Sequence, residues 1–187
     1  MTDAPFSIEL ATRDDVPAIL AIANQVAAET AANFATEPEP LADWLALYDR
    51  TCAQHAWLAA RANGELIGFA KTGPYKPRGA YRFCAEVSVY IQPAWHARGV
   101  GRALYAKLFP IARAQGYVSL FAGITSPHPP SEKLHQSFGF QPIGVLHRCG
   151  WKFERWHDVG FWELQLGSDA PPVPIRAVAD VLRELPL

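Results

Sequence analysis

The sequence has few cysteines and none of the common motifs for metal or covalent catalysis. Its three cysteines, Cys52, Cys84 and Cys149, are odd in number and never spaced as C-x-x-C, which predicts free thiols in a reducing cytoplasm. The six histidines include no H-E-x-x-H spacing, so we expect no metal site. No G-x-S-x-G motif is present, so the sequence does not support a serine hydrolase.

Signals for membranes and nucleic acids are also missing. No apolar stretch reaches the ~18 residues that a membrane span requires. The opening MTDAPFSIEL lacks a basic region followed by an apolar run, so we expect no secretory signal. The 17 basic and 18 acidic residues give a net charge of -1, without the basic excess that nucleic acids or anionic lipids attract. We therefore expect a cytoplasmic protein that binds neither.

The length and composition suit one α/β domain. Half of the 187 residues are hydrophobic, enough for a sizeable core. Apolar periodicity predicts strands at 6–10, 56–62, 65–72, 85–91, 117–124, 143–151 and 158–166, the last two joined across 152–157, and helices at 13–27, 40–48, 103–115 and 131–138. Ser131 is expected to cap the last of these helices. We expect a domain over 1–166, followed at 167–187 by a proline-rich linker and a short amphipathic helix.

The most informative stretch is AEVSVYIQPAWHARGVGRALYAKL at 85–108, which predicts a strand, a glycine-bearing turn and a helix. Free N–H groups and the positive end of a helix meet at such a turn, and together they attract phosphate. Gly99 and Gly101 would let a pyrophosphate approach without a Cβ in the way, and Arg98 and Arg102 add positive charge. An ordinary strand-to-helix connection is the alternative interpretation.

Two rival phosphate motifs fail at this turn. Leu104 occupies the third glycine position of a dinucleotide-binding G-x-G-x-x-G, and no G-x-x-x-x-G-K-[ST] is present. The turn instead resembles the R/Q-x-x-G-x-G/A segment of the GCN5-related N-acetyltransferases (GNAT), which bind the pyrophosphate of acetyl-CoA. His96 stands where that pattern prefers Arg or Gln, which leaves more of the contact to Arg98 and the backbone amides.

Acetyl transfer to an amine requires a base, and Glu86 is the best candidate. It shares a strand face with Ser88 and Tyr90, and apolar neighbours, Phe83, Val87 and Val89, should raise its pKa by desolvation. A carboxylate satisfied by a structural partner is the alternative. His135, on the short helix after a proline-rich turn, could reach the same centre from the opposite side, although a lone helix histidine is more often structural.

The loop at 73–81 holds two cations, Lys76 and Arg78, among aromatic residues. We interpret it as a lip that receives an anionic substrate, with a solvated loop as the alternative. Arg can bind a carboxylate with two hydrogen bonds. Phe34 is the one aromatic residue of the polar loop at 33–38, which we interpret as a plain connector with a buried Phe.

Residues 6 to about 166 resemble one GNAT branch, the phosphinothricin N-acetyltransferases, which acetylate glutamate-like amino acids. The resemblance rests on NFATEP at 33–38, GPYKPRGAYRFCAEVSVYI at 73–91, HARGVGRALY at 96–105, SPHPPSEKLHQSFGF at 126–140 and GWKFERWHDVGFW at 150–162. The five segments follow one another along this chain in the same order as in the family. Relatives in this branch also act on methionine sulfoximine and methionine sulfone.

The resemblance implies a role for each matching residue. Glu86 would be the general base and His135 would lie near the reacting thioester. The substrate would contact Phe34, Lys76, Arg78 and Tyr81. The cofactor would contact Val89, Tyr90, Ile91, Arg98, Gly99, Val100, Gly101, Arg102, Ala103, His128 and Ser131, with His128 in place of the asparagine that the family often has.

The resemblance also implies a GNAT fold, in which a mixed, twisted sheet is splayed at its centre and carries helices on both faces. The enzyme would transfer acetyl directly from acetyl-CoA to a small acidic amino acid in a ternary complex, without a metal. A homodimer with the active site near the subunit interface is expected. Two alternatives stay open: acetylation of a polyamine, an aminoglycoside or a protein N-terminus, and a non-catalytic module that binds acetyl-CoA.

Overall fold

A seven-stranded sheet with helices on both faces forms the protein, as a computed structural model shows. The structure describes residues 6–167, 170–185 and 187; the first five residues, and residues 168, 169 and 186 of the predicted linker and tail, lie outside it. The strands are β1 (Ser7–Leu10), β2 (Trp57–Ala62), β3 (Glu65–Pro74), β4 (Cys84–Ile91), β5 (Ser119–Ser126), β6 (Gln141–Lys152) and β7 (Arg155–Gln165). The helices are α1 (Val16–Glu29), α2 (Leu41–Thr51), α3 (Val100–Gln115), α4 (Pro129–Gln136) and α5 (Val178–Glu184). None of these helices is long and apolar enough to cross a membrane.

The strand order is β1-β2-β3-β4-β5-β7-β6, and every neighbouring pair is antiparallel except β4 and β5. Helix α3 connects these two parallel strands, as the sequence predicts. The pairing of β4 with β5 covers only Cys84–Glu86 and Ser119–Phe121, and beyond it the two strands diverge. The splayed mixed sheet of the predicted α/β GNAT fold is thereby confirmed.

The two sheet faces have separate cores. On one face, α3 buries Leu104 and Leu108 against a cluster that includes Val87 of β4. On the other, α1 and α2 bury Ile19 and Trp44 against a cluster that Tyr90 of β4 joins. Because side chains alternate along a strand, the face of β4 that carries Glu86, Ser88 and Tyr90 looks toward α1 and α2.

Two local predictions are wrong. His128, not Ser131, caps α4: its Nδ1 accepts a hydrogen bond from the Ser131 N–H at 3.2 Å, and Pro129 begins the helix. The last two strands are longer than predicted, so the predicted connecting segment at 152–157 is mostly part of the strands themselves. They meet in a tight turn at Phe153 and Glu154, whose φ angles are 52° and 56°. Positive φ at both central residues is the hairpin geometry that glycine and asparagine usually supply.

The C-terminal tail returns to the domain. Val178 and Val181 of α5 are buried in the α3-side core. The Arg176 N–H donates to the Gln115 carbonyl at the end of α3, and the Val178 N–H donates to Ala53. The tail therefore completes the hydrophobic core on the α3 face.

Candidate active site

The turn into α3 offers an open site for a phosphate. Gly99, with φ of +82°, immediately precedes the helix, and a Cβ built on it would meet no atom within 4 Å. The first N–H groups of this 16-residue helix can therefore be approached closely, and the helix dipole favours an anion there. The Arg98 guanidinium lies 5.1 Å from the centre of the Trp95 ring, beside the same turn. This arrangement fits the pyrophosphate of acetyl-CoA.

Gly101 has a different role from the one the sequence suggests. A Cβ on it would lie 3.1 Å from side-chain carbons of both Ile91 and Leu134, so its small size serves packing between α3, β4 and α4. Arg102 also points toward α4, where it donates to the Ser137 hydroxyl at 3.3 Å and lies over the Phe138 ring.

His96 is tied to the end of β4. Its Nε2–H donates to the Ile91 carbonyl at 3.0 Å, so the imidazole fixes the strand–turn junction. Upstream of this contact, Val89, Tyr90 and Ile91 pair with β3 and have no ladder partner on β5. The splay therefore leaves one edge of these residues available to a ligand.

Glu86 lies where the splay begins. It is the last residue of β4 that pairs with β5, opposite Phe121, and on its other side it pairs with Gly73 of β3. Although the residue as a whole is exposed, desolvation raises the pKa of its carboxyl, and the nearby Lys71 ammonium opposes that rise. The predicted direction of the shift agrees with the structure, but Val87 is not among its causes because it points into the opposite core.

Lys71 is a site residue that sequence reasoning missed. It lies on β3 opposite Ser88, and its Nζ is 3.5 Å from the position that a Gly73 Cβ would occupy, directly across from Glu86. The ammonium also lies 5.0 Å from the centre of the Trp57 ring. Desolvation lowers the pKa of Lys71, and the charges of Glu86 and Glu39 counteract this shift.

The predicted cationic lip contacts Phe121, the residue that pairs with Glu86 on β5, through stacked aromatic rings. Tyr75 stacks on Phe121, the β5 partner of Glu86, with ring centres 4.2 Å apart. The Lys76 ammonium lies 4.9 Å from the Tyr75 ring centre and 5.3 Å from that of Tyr81. Arg78 is exposed, directly before the short 3₁₀ helix at Gly79–Phe83. The lip thus carries two cations, and one of them, Lys76, contacts the Tyr75 ring that stacks on Phe121.

His135 does not face Glu86. It is 3% exposed, its Nδ1–H donates to the Ser131 carbonyl at 2.8 Å, and its Nε2 accepts from the Tyr105 hydroxyl at 3.0 Å. Burial lowers its pKa, which favours the neutral imidazole that these two bonds require. Tyr105 belongs to the α3-side core, opposite the face that carries Glu86. The expectation that His135 approaches the same centre as Glu86 is not met, because both ring nitrogens are occupied within the core.

The loop between α1 and α2 is fastened to the β6–β7 hairpin. The Lys152 ammonium donates to the carbonyl groups of Ala27, Asn33 and Ala35 at 2.5 to 2.7 Å. The Phe34 ring packs directly over Gly150, where a Cβ would come within 2.2 Å of it. Phe34 is therefore an anchor of its loop, as interpreted from its place in the sequence.

Replacing Lys152 with Met is expected to release this loop. The three carbonyl groups would lose a charged donor, so the free energy of unfolding should fall by ~2–3 kcal/mol. Chemical denaturation would measure the loss, and amide hydrogen exchange at residues 30–38 should accelerate. Lys107→Met, at an exposed position on α3, is the control and should change stability by less than ~0.5 kcal/mol. Equal stabilities of the two variants would contradict the assignment.

A cleft of about 300 Å³ opens where the α1–α2 loop, the splayed end of β5 and the β6–β7 hairpin meet. Thr30, Thr125, His128 and His157 are among the residues that line it. His128 is thus the sequence-predicted site residue that reaches this cleft, whereas Glu86 and Lys71 do not line it. Within the described ranges, no cluster of three or more His, Cys, Asp or Glu side chains is arranged to hold a metal ion.

Comparisons with known proteins agree with this geometry. Residues 8–160 match the family model for the acetyltransferase (GNAT) domain. The chain is 36% identical over 177 residues to phosphinothricin N-acetyltransferase of Streptomyces viridochromogenes, covering 95% of this chain and 97% of that protein. It is 34% identical over 167 residues to the L-methionine sulfoximine/L-methionine sulfone acetyltransferase of Salmonella typhimurium, covering 89% of this chain and 98% of the relative.

Solved structures give the same result. An acetyltransferase from Salmonella typhimurium, determined with its cofactor acetyl-CoA, is 34% identical and superposes with a TM-score of 0.85, covering 90% of this chain and 98% of that one. A phosphinothricin acetyltransferase from Sinorhizobium meliloti in complex with acetyl-CoA is 28% identical, with a TM-score of 0.85 over 90% of this chain and 94% of its own. The fold, the phosphate-accepting turn and these relatives together show that the chain belongs to the GNAT family and is an acetyl-CoA-dependent N-acetyltransferase.

Proposed function

We propose that this enzyme acetylates the amino group of a small acidic amino acid or analogue, of the phosphinothricin or methionine sulfoximine type. The observation that carries the proposal is a desolvated carboxylate, Glu86, with the Lys71 ammonium acting on it, on the strand pair that leads into the loop with Lys76 and Arg78. A base with a cation beside it suits a substrate that brings an ammonium group together with an anion. The names of the relatives support the same class.

Glu86 has the central role in the proposed reaction. Acetyl-CoA supplies an acetyl group activated as a thioester. Glu86 accepts a proton from the substrate ammonium, directly or through a water molecule, so that the amine can attack the thioester carbonyl. The new C–N bond replaces the C–S bond, and CoA leaves as a thiolate that takes up a proton from the amide nitrogen being formed or from water. Its raised pKa makes it a stronger base than an ordinary surface carboxylate. Lys76 and Arg78 hold the distal anion of the substrate, and His135 maintains the core instead of touching the reacting atoms.

Thiol release from acetyl-CoA would test the proposed substrate class. We expect saturable turnover with phosphinothricin and methionine sulfoximine, and much lower kcat/KM with polyamines and aminoglycosides. Strong preference for the first two over glutamate would point to a detoxifying role. Turnover with polyamines alone would overturn the proposed substrate. Binding of acetyl-CoA without turnover of any amine would favour the non-catalytic module.

Direct transfer in a ternary complex makes a separate kinetic prediction. Because both substrates must be bound together, double-reciprocal plots of initial rate at several fixed concentrations of the second substrate should intersect. Parallel lines would indicate an acetylated enzyme intermediate and would contradict direct transfer. The measurement needs only the substrate that the thiol-release assay identifies.

We also propose that two copies of the chain associate through β6. This strand forms one edge of the sheet, and all of its residues from Gln141 to Cys149 are exposed. Large apolar side chains on the hairpin are about half exposed: Ile143, Val145, Leu146, Trp151, Phe153 and Trp156. An edge strand with this much exposed apolar surface requires a partner, and a second copy of the same strand is one that every molecule can supply.

Replacing Leu146 with Asp is expected to separate the two copies, because it places a charge within the apolar surface. Light scattering coupled to gel filtration should give the mass of two chains for the wild-type protein and of one for the variant. Leu41→Asp, at an exposed leucine of α2, is the control and should leave the mass unchanged. A single-chain mass for the wild-type protein would contradict the proposed dimer.

A further inference from the structure

The Lys71 ammonium has no hydrogen-bond acceptor among the described residues of the candidate site. Its Nζ lies over Gly73 and near the Trp57 ring, and both positions face the α1–α2 side of the sheet. Within the part of the chain that the structure describes, no hydrogen bond or ion pair is made by this ammonium. A partly buried ammonium without acceptors is costly unless a ligand or water supplies them.

The separation between Lys71 and Glu86 leaves room for a small group. The two residues are diagonal neighbours on adjacent strands, since Lys71 pairs with Ser88 and Glu86 pairs with Gly73. Each charge affects the other, because Lys71 opposes the rise in the pKa of Glu86 and Glu86 opposes the fall in the pKa of Lys71. They nevertheless do not form an ion pair within 4.0 Å in the described structure. Gly73, which has no side chain, keeps the space between them open.

We propose that Lys71 binds the α-carboxylate of the amino-acid substrate and thereby restricts the enzyme to free α-amino acids. This inference rests on the proposed function, which brings the substrate amine to Glu86. In an α-amino acid the carboxylate is attached to the same carbon as the amine, so it must lie close to the base. Lys71 is diagonal to Glu86 on the adjacent strand and its charge acts on that carboxyl, whereas Lys76 contacts the rings of Tyr75 and Tyr81.

The assignment divides the recognition of the substrate between two groups of cations. Lys71 would bind the anion next to the reacting amine, and Lys76 with Arg78 would bind the anion at the far end of the side chain. A protein N-terminus and a polyamine both lack an α-carboxylate, so neither could satisfy Lys71. Lys71 would then set the selectivity for free amino acids over other amines. The lip would set the selectivity among amino acids with different side chains.

The test compares phosphinothricin with its α-carboxamide, which keeps the amine and the anionic side chain but lacks the charge of the α-carboxylate. Both are assayed with the wild-type enzyme, with Lys71→Met and with the surface control Lys107→Met, at a pH high enough for Glu86 to be ionised. The wild-type enzyme should favour the free acid over the amide by about 10²-fold in kcat/KM. Lys71→Met should lose most of that preference, because kcat/KM should fall far more for the free acid than for the amide. Unchanged binding of acetyl-CoA would show that the variant is folded.

Three results would overturn the inference, and they differ from one another. If Lys71→Met lowers kcat/KM for both substrates equally, Lys71 acts only through Glu86. If the variant keeps the wild-type preference for the acid, another residue binds the carboxylate. If the wild-type enzyme acetylates neither compound but acetylates a polyamine, the proposed function fails and the inference fails with it.

Discussion

Replacing Glu86 with Gln is expected to lower kcat by roughly 10²- to 10⁴-fold, the range associated with loss of a general base. Gln keeps the size and polarity of the side chain but cannot accept the proton of the substrate ammonium. The turn at Gly99, where we expect the pyrophosphate of acetyl-CoA, lies beyond the far end of β4 and does not involve Glu86. The affinity for acetyl-CoA should therefore change little, and calorimetry would measure it beside the steady-state rates.

Glu163→Gln provides the matched control. Glu163 pairs with Phe121 on the side away from Glu86, so the two glutamates lie in one row across the sheet. If kcat falls in Glu86→Gln but not in Glu163→Gln, the base is the Glu86 carboxylate. The rate then does not depend simply on the negative charge of this sheet face. If Glu86→Gln retained most of the wild-type rate at saturating substrate, the assignment of the base would be wrong.

The pH dependence of kcat/KM should report the same carboxylate. Glu86 accepts a proton only when it is ionised, so the rate should rise with pH through the pKa of this group. Because desolvation raises that pKa, the rise should occur above the range of an exposed glutamate. Lys71→Met removes the charge that opposes the shift and should move the rise to still higher pH. Glu39 and Tyr90 face the same space and contribute to the field there.

Replacing His135 with Ala is expected to lower the free energy of unfolding by about 3 kcal/mol, with little effect on kcat of the folded enzyme. The substitution leaves a cavity beside Phe140 and removes the acceptor of the buried Tyr105 hydroxyl. Urea denaturation would measure the loss. His147→Ala is the control, since that side chain is 75% exposed and lies on β6.

The activity of the two histidine variants separates a structural role from a catalytic one. Assayed well below its unfolding temperature, His135→Ala should keep kcat within a few-fold of the wild-type value. A loss comparable to that of Glu86→Gln, without a loss of stability, would show that His135 takes part in the reaction. Tyr105→Phe should reproduce part of the destabilisation, because it leaves Nε2 of His135 without its donor.

The sequence was sufficient to predict the central strand, turn and helix, because the features that form them are local. The alternation of the strand through Ile91, the glycine turn at Gly99 and the helix-forming residues after it all lie within one short stretch. Glu86 could be singled out as the candidate base for the same reason, because a carboxylate interrupts a largely apolar strand. The parallel pairing of β4 with β5 then followed from the intervening helix.

Features that depend on distant residues could not be predicted. Lys71 lies diagonal to Glu86 only because of the register in which β3 pairs with β4, and the sequence does not reveal that register. The space at Gly101 is filled by Ile91 and Leu134, from different elements. Phe153 and Glu154 form a turn without a residue type that favours positive φ, so only the pairing of the two long strands places the turn there.

Identification of the product would show whether the enzyme acetylates the α-amino group of a small acidic amino acid, as we propose. The wild-type enzyme would be incubated with acetyl-CoA and an equimolar mixture of phosphinothricin, methionine sulfoximine and spermidine, and the products would be analysed by mass spectrometry and NMR. N-acetyl derivatives of the two amino acids, modified at the α-nitrogen, are the expected products. Acetylated spermidine together with unmodified amino acids would contradict it.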